Sequence, residues 1–295
     1  RGLGDVYKRQ VFMLYPRASI SAKRIMAVLN TETSIENHPG NAQTDSGSGE
    51  HSVIFEHVDF VYPDGEEAVL KDISFSAKSG ETVAIIGSTG SGKSSLIQLI
   101  PRFYDRASGN IYIDGQKIED LDINALRSKI GFVPQKAHLF SGTIEENIRF
   151  GKPDATMDEI IHAAKIAQAY DFIMEKPHQF QEQIVEGATN VSGGQKQRLS
   201  IARALIRKPE IYIYDDSFSA LDFKTDARLR KALKPEIKNA IVFLVAQRVS
   251  TILDADKIVV LDEGKIAGIG THRELLTSCP VSYTHLRAHE TRRHL

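Results

Sequence analysis

Thr82 to Ser95 reads TVAIIGSTGSGKSS, and this stretch decides the fold. A short apolar run, Thr82–Ile86, enters a loop with glycines at 87, 90 and 92, and a helical run, LIQLIPRFY, follows from Leu96. The pattern G-x-x-x-x-G-K-[ST] in a strand–loop–helix setting is a phosphate cradle. Gly87, Gly90 and Gly92 permit the tight turn that aims backbone N–H groups at phosphate oxygens. Ser88, Thr89, Ser91 and Ser95 complete the loop, and the following helix presents its positive N-terminus. Lys93 is expected to pair with the β- and γ-phosphates and Ser94 to ligate Mg2+, so ATP and Mg2+ are the expected cofactors. The alternative, a Gly-rich surface turn, does not account for the strand before the loop and the helix after it.

Downstream, IYIYDD (Ile211–Asp216) is another short apolar run, ending in two adjacent carboxylates. Like charges side by side at a strand end are costly unless a cation sits there. Asp215 is expected at the end of a neighbouring parallel strand, holding the Mg2+ shell. Continuous apolar runs such as TVAIIG, IYIYDD and IVFLVAQ suit parallel strands covered on both faces. VIFEHVDFVY and VLKDISFSA read as an antiparallel pair. Strands alternate with helical stretches from Val53 to about Leu276, which predicts an α/β layered domain.

The 295-residue chain is 41% hydrophobic and 25% charged, with formal net charge −1 and a single cysteine, Cys279. That balance gives no general attraction to nucleic acid or anionic lipid, and an internal disulfide is impossible. No stretch approaches the roughly 20 apolar residues of a membrane helix. Ala18–Leu29 has helical apolar spacing; residues 31–52 are polar, Gly/Ser-rich and read as a linker. Residues 1–10 and 281–295 lack apolar periodicity and look like foreign, adaptor-derived sequence. His285, His289 and His294 in that tail are only a weak metal motif.

Val191–Leu199 reads VSGGQKQRL, shortly before the IYIYDD strand. With the phosphate loop, GFVPQ ending at Gln135, and SALD (Ser219–Asp222), it closely resembles the nucleotide-binding domain of ATP-binding cassette (ABC) proteins over about residues 53–276. The resemblance implies a P-loop NTPase core with a parallel sheet, an antiparallel β subdomain and a helical signature subdomain. It implies that Ser192, Gly193, Gly194 and Gln195 face the γ-phosphate bound to an opposite subunit, two cassettes sandwiching two ATP molecules. Asp222 closes the D-loop. Gln135 contacts Mg2+ and the attacking water, and Tyr62 stacks on adenine, worth about 1–3 kcal/mol per base; an ordinary strand aromatic is the alternative for Tyr62.

Lys136–Gly151 resembles the segment after the Q-loop in exporters that carry membrane and ATPase domains on one chain. Residues 11–30 resemble the end of the last membrane helix and its connection, with the cassette over 53–280. The expected partners are a membrane domain and a second exporter half, with no nucleic acid, at the cytoplasmic face of the cell membrane. Two departures stand out. The family's catalytic Glu is Asp216 here, shorter by one methylene, roughly 1.5 Å. Its switch His is Gln247, which hydrogen-bonds but cannot become imidazolium. The joint change resembles the degenerate-site half of a heterodimeric exporter. A regulatory ATP-binding module without turnover, and a soluble ABC ATPase, are the rival expectations.

Overall fold

The Val/Ile-rich runs form strands whose alternate side chains enter two different cores. The computed structural model describes residues 2–31, 35–37, 51–246 and 252–278. A six-stranded sheet has the order β12-β11-β3-β10-β9-β6. Its members are β3 (Thr82–Gly87), β6 (Ile130–Val133), β9 (Ile211–Asp215), β10 (Ile241–Val245), β11 (Lys257–Asp262) and β12 (Lys265–Gly270). All neighbours are parallel except β12, which returns antiparallel to β11. Every residue of β9 and β10 is buried. Along β10, Val242 and Leu244 join one core while Ile241, Phe243 and Val245 join the other, the strand period of two acting on a sheet covered on both faces.

The first core packs the sheet against α4 (Ile144–Arg149), α5 (Met157–Ile166), α6 (Tyr170–Met174), α7 (Gly193–Leu205) and α8 (Phe223–Glu236). Thr143 and Thr156 start α4 and α5 with capping boxes closed by Glu146 and Glu159. Each such cap is worth about 1 kcal/mol. The second core joins the sheet to α2 (Lys93–Leu99), α3 (Ile123–Ser128) and a second, antiparallel sheet ordered β2-β1-β4-β5. There β1 (Ser52–Phe60) pairs with β2 (Leu70–Lys78) and β4 (Ser108–Ile113), with β5 (Gln116–Lys117) at the edge. Phe55 and Phe75 are directly opposed across β1 and β2 and stack at 4.7 Å. A two-stranded ribbon, β7 (Gly142–Thr143) with β8 (Gln183–Ile184), and a terminal helix α9 (His272–Ser278) complete this unit. The mixed α/β class, the parallel sheet, the antiparallel β subdomain and the helical subdomain are as expected.

One spatial expectation changes. β9 is not the neighbour of β3, because β10 lies between them and pairs with both. The loop after β3 and the carboxylate ending β9 meet above β10, since all three strands run in the same direction.

The N-terminal 36 residues form a separate unit. Its helix α1 (Gly2–Leu29) contains the expected Ala18–Leu29 helix and continues N-terminally through Pro16, unbroken across residues 10 and 11. Phe12, Met13, Tyr15, Val28 and Leu29 on it are exposed. No helix among the described residues is long and apolar enough to cross a membrane. Most of the expected linker, Gln247, and the tail with His285, His289 and His294 lie outside the described residues.

Candidate functional site

Gly87 to Ser95 wrap the N-terminus of α2, whose N-cap is Gly92 in the left-handed region (φ 96°). At Gly87 (φ 154°) an added Cβ would lie 2.2 Å from the Leu261 carbonyl oxygen, so only glycine fits where the loop leaves the sheet. Lys93 Nζ donates to the carbonyls of Gly87 (2.9 Å) and Ser88 (2.6 Å), arching the loop over its own ammonium. Burial lowers the Lys93 pKa, while Asp216 and Asp215 favour its charged form.

Asp215 meets the loop from β9. Ser94 Oγ donates to Asp215 Oδ1 at 3.0 Å. Burial raises the Asp215 pKa, and the Asp216 charge adds to that against the Ser94 hydrogen bond and Lys93. A buried carboxylate oxygen and a hydroxyl oxygen converging beside a phosphate-type cradle are hard ligands of the kind Mg2+ takes. The donor set therefore fits the metal: Ser94 and Asp215 would hold it.

Asp216 is buried and has a left-handed backbone (φ 46°). Asp tolerates this conformation better than most residues with a Cβ, at a cost on the order of 1–3 kcal/mol. Its N–H donates to Val245 O at 3.1 Å and its carbonyl accepts from Ser219 Oγ at 2.8 Å. Its Oδ2 accepts from Gln135 Nε2 at 3.2 Å, which brings the GFVPQ glutamine directly to the carboxylate. Tyr62 follows β1; its hydroxyl bonds Ser95 Oγ at 2.8 Å and its ring meets Phe60 and Tyr104 edge-on. So Tyr62, Gly87–Ser95, Gln135, Asp215 and Asp216 gather in one place.

The signature residues stand apart from that cluster. Ser192 caps α7: its Oγ accepts from Gln195 N–H (3.2 Å), and Gln195 Oε1 accepts from Ser192 N–H (2.9 Å). A Cβ at Gly193 would meet open space, whereas one at Gly194 would lie 3.3 Å from Ala220 O in the D-loop. Asp222 caps α8 by accepting from Thr225 N–H at 2.9 Å, and hydrogen bonds from the Thr225 hydroxyl and then this N–H lower its pKa.

Two positioning residues escape sequence reasoning. Buried Gln197 donates to Pro134 O (3.0 Å), fastening α7 to the residue before Gln135. Ser217 Oγ donates to Val133 O (2.8 Å), fastening β6 to the segment after Asp216. A polar residue at an apolar position of α7 was the only available signal for Gln197.

Residues 70–219 match the family model described as ABC transporter. The chain is 46% identical over 267 residues to an uncharacterized ABC transporter ATP-binding protein, YfiB, of Bacillus subtilis, covering 90% of the chain and 46% of that relative. It is 48% identical over 234 residues to a putative multidrug export ATP-binding/permease protein of Staphylococcus aureus, covering 79% of the chain and 40% of that relative. A solved structure of a bacterial Atm1-family ABC exporter with ATP bound superposes with a TM-score of 0.86 at 33% identity, over 97% of this chain and 49% of that one. The chain thus spans about half the length of these relatives. It belongs to the ABC transporter family, as an ATP-binding domain related to those of exporters.

Proposed function

We propose that this domain binds Mg·ATP on its own phosphate loop, hydrolyses it slowly, and completes a second, faster site on another exporter half through Ser192–Gln195. The observation that carries the reading is Asp216: a short carboxylate, on a left-handed backbone, tied to Gln135 at 3.2 Å. In this reading the loop N–H groups and Lys93 bind the phosphates. Lys93 exchanges its bonds to the Gly87 and Ser88 carbonyls for phosphate oxygens, its charge supported by Asp215 and Asp216. Ser94 and Asp215 would hold Mg2+, which when bound would supply positive charge against that developing on the phosphates. Gln135 orients water and Asp216 accepts its proton or polarises it. An offset of about 1 Å at a reacting group can cost on the order of a hundredfold, so a carboxylate shortened by one methylene suits slow turnover. Gln247 points the same way from sequence alone.

Similarity to a putative multidrug export ATP-binding/permease protein supports export across a membrane, with a membrane domain as partner and this domain at the cytoplasmic face. The test is Asp216→Glu, alone and with Gln247→His, in the transporter assembled with its other half. Single-turnover hydrolysis at this site is expected to rise about 100-fold. An unchanged rate overturns the assignment of degeneracy, and no hydrolysis at either site favours a regulatory module.

A further inference from the structure

β9 carries tyrosines where a covered parallel strand ordinarily carries aliphatics. Tyr212 and Tyr214 stand on one face with rings 6.1 Å apart and nearly parallel. Tyr214 is 1% exposed, yet its hydroxyl has no hydrogen-bond partner among the described residues. An unsatisfied buried hydroxyl costs about as much as a lost hydrogen bond, so its retention calls for an acceptor. Tyr214 lines a half-open cleft of about 300 Å³ between α8, β9, β10 and the residues leading into β11. That volume is at the lower end for small-molecule sites.

The walls are chemically sorted. Phe218, Leu233, Ile237, Leu244 and Ala255 make the apolar part. Two of the five charged groups lining the cleft are already engaged. Arg230 pairs with buried Asp226 at 2.6 Å, and Asp256 accepts from the Thr82 N–H at 2.8 Å. Lys234 in the last turn of α8 and Lys238 just beyond its end are exposed, and with Asp254 they complete the lining. We propose that this cleft is a second ligand site, taking a small aromatic carboxylate: ring among the apolar residues, carboxylate on Lys234 and Lys238, and an acceptor within reach of the Tyr214 hydroxyl. Burial keeps that phenol protonated, so it offers a donor. Tyr214 directly precedes Asp215, and Asp222 caps α8, whose later turns line the cleft, so an occupant adjoins two elements that carry the proposed ATP site without contacting Asp215 or Asp222.

The probe is phenylacetate, with toluene as its uncharged analogue, followed by saturation-transfer NMR on the full chain. Wild type is expected to bind phenylacetate in preference to toluene. Lys234→Glu/Lys238→Glu, on the exposed rim, is expected to weaken phenylacetate at least about tenfold, and Tyr214→Phe about fivefold. Ala255→Leu, which fills the cleft, is expected to abolish it. Retained ATP binding shows that each variant is folded; if a buried variant fails to fold, the lysine pair alone decides. No binding to wild type, toluene binding as tightly as phenylacetate, or affinity unmoved by the lysine pair each overturns the proposal.

Discussion

Asp215 and Asp216 are adjacent carboxylates with different surroundings. Asp215 ends a strand and faces Ser94, whereas Asp216 turns away on a left-handed backbone towards Gln135. The raised pKa of Asp215 has a definite consequence. Its protonation comes at a pH above the ordinary 3.8, so the ionised form costs the metal-free fold stability at neutral pH, and that cost lessens as pH falls through the folded value towards 3.8. Asp215→Asn is therefore expected to raise the melting temperature of the metal-free chain at pH 7 while abolishing the Mg2+ dependence of ATP binding. Calorimetry paired with nucleotide titration checks both, and a lowered melting temperature contradicts the assigned cause. The same residues show what sequence could not give. Their types suggest the proposed roles of Mg2+ ligand and shortened base from sequence alone, but the φ of 46° at Asp216 and its bond to Gln135 were not legible, because both depend on contacts between elements far apart in the chain.

At the scale of elements, the two sheets are joined by a partly buried ionic cluster that no motif announces. Lys129, just before β6, reaches Asp114 at 2.7 Å and Glu210 at 2.9 Å, and His51 approaches both carboxylates. His51, Asp114 and Glu210 have ligand-type spacing, but the Lys129 ammonium already sits on both carboxylates, so the cluster is an ion-paired tie. Burial pushes Asp114 up, yet the Lys129 and Ser52 hydrogen bonds prevail and hold its pKa below the ordinary value. Its stabilising effect is present above pH 3.8 and is lost as pH falls through the lowered folded value. Lys129→Met leaves Asp114 charged and buried, and is expected to cost about 3–5 kcal/mol in denaturant unfolding. A change under 1 kcal/mol, on the order of an exposed pair, would contradict a buried tie. The elements themselves were mostly legible, since apolar runs and caps are local signals. The strand order was not: β10 lies between β3 and β9 although it follows both in sequence.

For the whole molecule, the proposed function rests on two edges of the cassette. One is the loop with Lys93, Asp215, Asp216 and Gln135, and the other is the α7 cap at Ser192 with Gly193 open in front of it. Gly194 lies close to Ala220 in the D-loop, which joins Asp216 to Asp222, so that loop runs between the two edges within one chain. Ser192→Ala is expected to loosen α7 by about 1 kcal/mol and to slow turnover at the partner's site while sparing ATP binding here. Site-resolved ATP-binding assays in the assembled pair check that division. The family was legible because its motifs are short and contiguous, whereas the proposed asymmetry rests on two letters, Asp216 and Gln247. The most direct test traps labelled nucleotide in the assembled transporter and counts product at each site separately. ATP is expected to remain on this chain's loop while ADP forms on the partner's; equal ADP at both sites would overturn the proposed asymmetry.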